Sequence, residues 1–573
     1  MRYRVLTVSI TALFIFVAAG LFYMQILRFP YYSSLSKNNS IRIIPIDGPR
    51  GTIFDRNGVA VVSNRLSFDV AVIYQELRDR SKLTKVLNSV LDMSGRDVLA
   101  ALEKAGRKPY IPVTIAEDVG KDKAIMLEEA SFDNRGLIIE IRSKRDYLYG
   151  YEGSHVFGYL NEITEKELEG LKEYGYRRRD LVGRNGLEKY YDNYLRGSNG
   201  GTQIEVDSRG RQTRVIGIKE PSAGKDLHLT MDISLQRTCD KLLGDRKGAV
   251  VVMDPASGDI LALASHPAFD PNIFIKPNMS AERLKLLNDR VGRPLINRAI
   301  SGIYSPGSVF KMVISAAALD AKRISRNTTF QCAGFYMLGN ARFDCWKEGG
   351  HGSQNIITAL KNSCNVFFYN TGRLAGSDLI ENFSKLFGFG AKTGIDLPDE
   401  AKGIVPGRIW KRMNKKGPWY EGDTVNYSIG QGYLLVTPMQ VLEMTAIIAN
   451  NGYMVKPRIV SKIDKQDIPA EKKRTVPIKA ETINIIKEGL RDVVNSEGGT
   501  GSRAKVDGIV VAGKTGTAQN PQGRTHAWFV GFAPYQNAKL CIVVFLEHGG
   551  KGGLEPATIA HGVFEEARQK GYL

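Results

Sequence analysis

Cysteine is scarce in this chain: 573 residues hold five, Cys239, Cys332, Cys345, Cys364 and Cys541. A scaffold built on disulfides is thereby excluded. Internal repeats and low-complexity tracts are absent, which removes solenoids and long flexible linkers. Zinc-finger and RNA-binding signatures are absent too, as are basic runs interleaved with aromatics. The formal charge of +19 therefore points away from nucleic acid and toward an anionic membrane face or an anionic polymer beside it. Long apolar runs are missing with one exception, at the N-terminus.

What is present is the composition of a folded protein, 43% hydrophobic and 24% charged. The length calls for two or three domains. After "MRYR" comes "VLTVSITALFIFVAAGLFYMQIL", Val5 to Leu27, with no ionisable residue apart from Tyr23. That is long enough to cross a hydrocarbon core as a helix. "VAAG" at 17–20 resembles a cleavage site, but the apolar run continues past it, which favours an uncleaved anchor. Arg2 and Arg4 predict a cytoplasmic N-terminus and an exported body.

From about 40 to 220 the chain is rich in arginine and glycine and shows no cluster of catalytic groups. "IRIIPIDGPRGTIFDRNGVAVVSN" reads as strand, turn and strand, and helical patterns follow near 78–105 and 118–130. Near 222 the character changes. "GAVVVMDPASGDILALAS" reads as a hairpin of apolar strands, and helices are predicted over 308–386, 435–451 and 480–494. Three late strands follow, in "GIVVAGKTGTAQ", "HAWFVGFAP" and "AKLCIVVFLEHG", before a final helix at 556–570. Two early strands, a large helical insertion and three late strands describe one α+β domain with an antiparallel sheet.

Chemistry enters at "YSPGSVFKM", 304–312. Ser308 follows Pro306-Gly307, and Lys311 lies one turn on, at the start of an apolar helix. A helix N-terminus favours a developing alkoxide, and a desolvated lysine can act as a base. The bland alternative is a capping serine with a snorkelling lysine. The spacing alone is weak, since S-x-x-K starts at Ser34, Ser222, Ser308 and Ser502. Two further motifs decide in favour of Ser308. "NSCNVFFYN" places Ser363 and Asn365 around Cys364 ahead of a helical run, and "VVAGKTGTAQ" places Lys514, Thr515, Gly516 and Thr517 at the end of an apolar strand. A second Lys-Thr-Gly, at 392–394, sits between a loop and an Asp-Leu-Pro turn.

The order S-x-x-K, S-x-N, K-T-G is that of penicillin-binding proteins and serine β-lactamases. The chain resembles the class B (monofunctional) penicillin-binding proteins over nearly its whole length. The segments "RGTIFDRNG", "GRNGLEKYYDNYLRG", "DPASGDILALAS", "NRAISGIYSPGSVFK" and "YSIGQGYLLVTPMQ" carry that resemblance, and "NRA", "WYEGD" and "HG" are most similar to the elongation (rod-shape) type. Division and sporulation types are the alternatives. Residues 40–220 hold no counterpart of the paired acids of a glycosyltransferase domain. The resemblance implies a single anchor with its stub at 1–28, a non-catalytic pedestal of dimerisation type at 29–220, and a transpeptidase domain at 221–573.

It also implies a mechanism. Ser308 would attack the penultimate D-Ala carbonyl of a peptidoglycan stem peptide, with Lys311 accepting the proton and Ser363 relaying one to the leaving D-Ala. Asn365 would hold the peptide amide, and Lys514, Thr515, Gly516 and Thr517 the terminal carboxylate. The backbone N–H groups of Ser308 and Thr517 would form the oxyanion hole. β-Lactams would acylate Ser308. The chemistry requires no cofactor. The partners implied are stem peptides ending in D-Ala-D-Ala and a membrane glycosyltransferase of the shape, elongation, division and sporulation family. Rival readings are a penicillin sensor or β-lactamase, a D,D-carboxypeptidase, and an idle scaffold that recruits wall synthases.

Cys332, Cys345, His351 and Cys364 are spaced by 12, 5 and 12 residues. They supply a tetrahedral donor set for structural zinc, without the tight C-x-x-C knuckle. A disulfide between two of them is the competing reading. Some elongation-type relatives resemble this chain in carrying metal ligands at these places. Cys239 and Cys541 read as buried core thiols on a helix and a strand.

Overall fold

The computed structural model describes residues 2–573 apart from Lys108, Arg179, 208–211, Asn278 and Gln522. The chain divides into two packed units.

One unit comprises Met1–Arg50, Asn64–Arg145 and Arg196–Gly224. It begins with helix α1, Arg2–Phe22, which runs on through a π-helical turn to Leu27. This 26-residue span has mean hydropathy 2.5 and buries none of its apolar window, so it is long and apolar enough to cross a membrane. Strands β1 (Ile41–Ile46), β2 (Gly200–Val206) and β3 (Gln212–Lys219) form an antiparallel sheet with β2 at its centre. Helices Arg80–Leu91 and Gly95–Gly106 start where Asp79 and Ser94 accept the backbone N–H of Lys82 and Asp97. Leu83 and Leu87 on the first, and Val98 and Leu102 on the second, recur at helical spacing and close a small core over Val70 and Val72.

The other unit comprises Gly51–Ser63, Asp146–Leu195 and Lys225–Leu573. Its centre is a five-stranded antiparallel sheet in the order β5-β4-β8-β7-β6. Its members are β4 (Gly248–Met253), β5 (Ile260–His266), β6 (Ala512–Asn520), β7 (Gly523–Ala533) and β8 (Leu540–Leu546). Every residue of β4, β5 and β8 is buried. Both faces are covered, so these strands are continuously apolar and do not alternate with polar residues. The alternation shows instead in which core each side chain enters. Val251 and Val543 join one core and Val250 and Val544 the other, as a period of two requires.

Helix α2 (Ile233–Leu243) and the C-terminal α10 (Glu555–Gln569) contribute to the second core. On the other face lie α3 (Lys311–Asp320) and α8 (Pro438–Ala449). All of α8 is buried, and Thr437 with Gln440 forms a capping box at its start. Between β5 and β6 the insertion also supplies α4 (Ile356–Lys361), α5 (Asn365–Ala375), α6 (Arg408–Lys415), α7 (Glu421–Tyr427) and α9 (Ala480–Asn495).

The α+β class and the sheet of two early and three late strands agree with the sequence. The helical expectation over 308–386 needs a correction. Residues 330–354 form two small antiparallel pairs, Phe330–Cys332 with Gly352–Gln354 and Phe335–Leu338 with Ala341–Asp344. Glycines at 334, 339, 350 and 352 have φ between 58° and 97° there, a region that breaks a helix.

Candidate active site

Ser308 lies within a single 3-10 turn, Gly307–Phe310, which runs directly into α3. The serine is therefore inside the first helical turn, half-buried, and not a cap outside it. Gly307 makes the turn feasible. Its φ is 57°, and a Cβ there would stand 2.8 Å from the Thr517 carbonyl oxygen. Its N–H donates to the Gly430 carbonyl at 3.0 Å. The Ser308 turn is thus wedged between strand β6 and the 430 loop.

Lys311 is fully buried. Its Nζ donates to the Ser363 carbonyl at 2.8 Å, to Asn365 Oδ1 at 2.8 Å and to Ser363 Oγ at 3.4 Å. Desolvation pulls its pKa from the ordinary 10.5 down to about 8, opposed by Cys364 and Cys345. Ser363 follows α4 with φ at 50°, a left-handed conformation uncommon for serine. Strain of that kind costs on the order of 1–3 kcal/mol and persists only where the surroundings over-determine it. Here the Ser363 and Cys364 N–H groups donate back to Leu360 and Ala359. Asn365 then opens α5 with its side chain toward Lys311.

β6 is the edge strand of the sheet, so among the described residues one side of its backbone has no strand partner. Lys514 is fully buried, and its Nζ donates to the Thr515 carbonyl at 2.9 Å. Burial, reinforced by the charge of Lys311, holds its pKa well below the ordinary lysine value. Gly516 packs against the Ser308 turn: a Cβ would lie 3.0 Å from the Pro306 carbonyl oxygen and 3.0 Å from Val309 Cγ1. Thr517 Oγ1 accepts the Gly552 N–H at 3.4 Å.

Cys332 Sγ, Cys345 Sγ, Cys364 Sγ and a nitrogen of His351 lie within 4.8 Å of one another. All five cysteines are free thiols, so no pair in the cluster is bridged. His351 Nδ1 is 3.6 Å from Cys332 Sγ and 3.5 Å from Cys345 Sγ. A regular tetrahedron with Zn–S and Zn–N bonds of about 2.3 and 2.0 Å sets N···S near 3.5 Å, so the donor set fits a zinc ion. Hydrogen bonding with Cys364 and with His351 draws the Cys345 thiol toward the thiolate, while the bond to Cys345 and burial raise the pKa of Cys364. The Asn365 N–H donates to Cys345 Sγ at 3.4 Å, which ties the cluster to the S-x-N backbone.

The family of penicillin-binding protein transpeptidase domains matches residues 248–565, and that of penicillin-binding protein dimerisation domains matches 45–229. The chain belongs to the penicillin-binding proteins. The peptidoglycan D,D-transpeptidase MrdA of Haemophilus influenzae is 33% identical over 95% of this chain and 88% of its own length. Its Escherichia coli K12 counterpart is 33% identical over 93% and 89%. Helicobacter pylori PBP2, solved in complex with MreC, superimposes with a TM-score of 0.81 at 28% identity, covering 93% of this chain and 99% of that one.

In this penicillin-binding protein the second Lys-Thr-Gly serves a structural end: the Thr393 N–H and Oγ1 donate to Glu400 Oε1 at 2.6 and 2.5 Å. Cys239 in α2 and Cys541 in β8 are buried thiols, as expected, and burial raises the pKa of both. Other contacts had no signal in the sequence. Thr500, in the Gly-rich loop, accepts from Thr515 Oγ1 at 3.2 Å and donates to the Lys361 carbonyl at 3.2 Å. Tyr304 OH and Arg298 Nε donate to Glu547 Oε1 at 2.6 and 3.0 Å, and Trp528 Nε1 donates to the Ser305 carbonyl at 3.1 Å. Together they brace the segment just ahead of Ser308.

Proposed function

We propose that Ser308, Lys311, Ser363, Asn365 and Lys514 carry the acyl transfer of an elongation-type peptidoglycan D,D-transpeptidase. The observation that carries these assignments is the buried Lys311 ammonium, bonded to both Ser363 and Asn365 one turn after Ser308. A lysine with its pKa near 8 supplies the neutral amine that a general base needs.

In the first step Ser308 Oγ attacks the penultimate D-Ala carbonyl carbon, and its proton passes to Lys311 Nζ. The carbonyl electron pair moves to oxygen, which the N–H groups of Ser308 and Thr517 stabilise. As the C–N bond breaks, Ser363 passes a proton to the departing D-Ala amine, which leaves an ester on Ser308. An amine of a neighbouring stem then attacks the ester, loses a proton to the same relay and returns Ser308 to its hydroxyl. Asn365 holds the substrate amide. Lys514, Thr515, Gly516 and Thr517 hold the terminal carboxylate beside the open edge of β6, where a peptide can add as a further strand. Water in place of the amine gives a D,D-carboxypeptidase side reaction.

Cys332, Cys345, His351 and Cys364 hold a structural zinc ion. Bound there, the metal fixes the loop before α4 to the S-x-N turn and takes no part in proton transfer. α1 anchors the chain once in the cytoplasmic membrane, with Arg2 and Arg4 inside and the catalytic body outside. A membrane glycosyltransferase and an MreC-like scaffold are its partners, by analogy with the Helicobacter pylori complex and with a related peptidoglycan synthase complex.

The test is intact-protein mass spectrometry after brief exposure to benzylpenicillin. One stable adduct mapped to Ser308, and none on Ser308→Ala, is the expected result. A folded protein with no adduct would sink the assignment.

A further inference from the structure

Helix α6 carries charge and aromatic area that the acyl-transfer machinery does not use. Ile409 and Met413, one turn apart, are each 77% exposed. Arg412, Lys415 and Lys416 are also exposed. Two other cations of the helix are neutralised, Arg408 by Asp378 and Lys411 by Asp423. Arg412, Lys415 and Lys416 form no ion pair among the described residues.

Lys411 is 6% exposed, unusual for a lysine on a surface helix. Its Nζ lies 4.6 Å from the centroid of the Tyr420 ring and 5.7 Å from that of Tyr433. Lys415 Nζ is also 5.7 Å from Tyr433, and the Trp410 ring is 5.5 Å from it. These cation–π contacts hold the Tyr420 and Tyr433 rings in place, Trp410 packs on Tyr433, and Tyr420 remains 62% exposed. The result is a fixed shelf of aromatic faces rimmed by unpaired cations.

The shelf is tied to the elements around Ser308 by short chain connections. Tyr433 stands three residues after Gly430, a reach of about 11 Å at most, and Gly430 accepts the Gly307 N–H. Beside Tyr420, Glu421 pairs with Arg373 of α5, the helix that Asn365 opens.

We propose that this shelf holds a peptidoglycan strand, the anionic glycan–peptide polymer, on the helical side of the active site while Ser308 carries the acyl group. The inference rests on the transpeptidase reading. A cross-linking enzyme must hold a second strand near its acyl-enzyme. The stem peptides of such a strand carry carboxylates, and its sugars present flat C–H faces. Unpaired arginine and lysine match the first and aromatic rings the second. A membrane surface is the poorer fit, because two exposed aliphatic side chains bury little area in a lipid interface.

The experiment uses the full chain in detergent, pelleted with purified insoluble peptidoglycan at low and high salt. The triple variant Arg412→Glu, Lys415→Glu, Lys416→Glu and the single variant Tyr420→Ala are compared with wild type. Benzylpenicillin acylation of each, and flotation with phosphatidylglycerol vesicles, are measured in parallel. Binding of wild type is expected to weaken with salt, and that of the triple variant to fall at least about tenfold, with acylation within about twofold of wild type. Tyr420→Ala is expected to fall less and to keep the salt dependence. Equal pelleting of wild type and triple variant overturns the proposal, as does a loss confined to the vesicles. Absence of acylation in wild type that still pellets would sink the transpeptidase reading on its own.

Discussion

Lys311 Nζ and Asn365 Oδ1 lie 2.8 Å apart, joining the helix after Ser308 to the helix that the S-x-N motif opens. Lys311 is fully buried and Asn365 half-buried, so the ammonium has left bulk water and is held by protein acceptors. That loss lowers the proton affinity of the Lys311 amine.

Acylation by a chromogenic β-lactam should therefore rise with pH as Lys311 deprotonates, with its midpoint near pH 8, and level off above it. The group is a cation whose folded pKa is depressed, so the fold disfavours its charged form. Its contribution to stability accordingly improves as pH climbs from the folded toward the unfolded value. Lys311→Arg keeps the positive charge but cannot lose a proton in this range, and should lower the acylation rate at least about a hundredfold. Stopped-flow rates between pH 6 and 9.5 check this. A flat profile would remove Lys311 as the base.

Stripping metal from the cysteine cluster should loosen the S-x-N turn, because Cys364 stands between Ser363 and Asn365, and the Asn365 N–H rests on Cys345 Sγ. Elemental analysis should find one zinc per chain. Chelation should lower Tm measurably, by about 1 °C per kcal/mol for a body of this size, and slow acylation about 10–100-fold. Added zinc should restore both. Cys332→Ser should reproduce the loss without chelator. Metal-free protein with the same Tm and rate as purified protein would overturn the assignment.

How far the sequence went depended on the range of each interaction. The sheet was legible because β4, β5 and β8 are buried on both sides and so read as apolar runs. The motif elements were legible because Lys311 and Asn365 each lead an apolar helix, and Lys514 lies in an apolar strand. Local periodicity says nothing of contacts between distant segments. Thr500 meeting Thr515, and Glu547 meeting Tyr304 and Arg298, belong to that class. The left-handed Ser363 was hidden as well, since serine carries no preference for it. The helical pattern over 308–386 is interrupted at 330–354 because Gly334, Gly339, Gly350 and Gly352 take positive φ there, a preference that the apolar residues around them mask in the sequence.

Glu443 lies on the buried α8, and desolvation raises its pKa from 4.5 to about 7 in spite of the ion pair with Lys473. An acid with a raised folded pKa loses stability as pH rises from the unfolded toward the folded value, here between 4.5 and about 7. Urea unfolding of the detergent-solubilised chain should show that decline, on the order of 3 kcal/mol. Glu443→Gln should flatten it, while Lys473, partly exposed, turns to solvent. The same slope in the variant would assign the decline to other groups.

Gly307 and Gly339 have nearly the same backbone, φ 57° and 58°, but different surroundings. A Cβ at Gly307 would press on Thr517, with the carbonyl oxygen 2.8 Å and the carbonyl carbon 3.0 Å away, whereas at Gly339 it would meet nothing within 4 Å. Alanine at either site pays the left-handed penalty of about 1–2 kcal/mol. Only at Gly307 must β6 and the nucleophile turn move apart as well. A shift of about 1 Å between a nucleophile and its oxyanion donors costs on the order of a hundredfold in rate. Gly307→Ala should therefore lose acylation to about that extent, and Gly339→Ala should keep it within about twofold and lose less Tm than Gly307→Ala. Equal acylation rates in the two variants would mean that the contact between the turn and Thr517 does not set the reaction geometry.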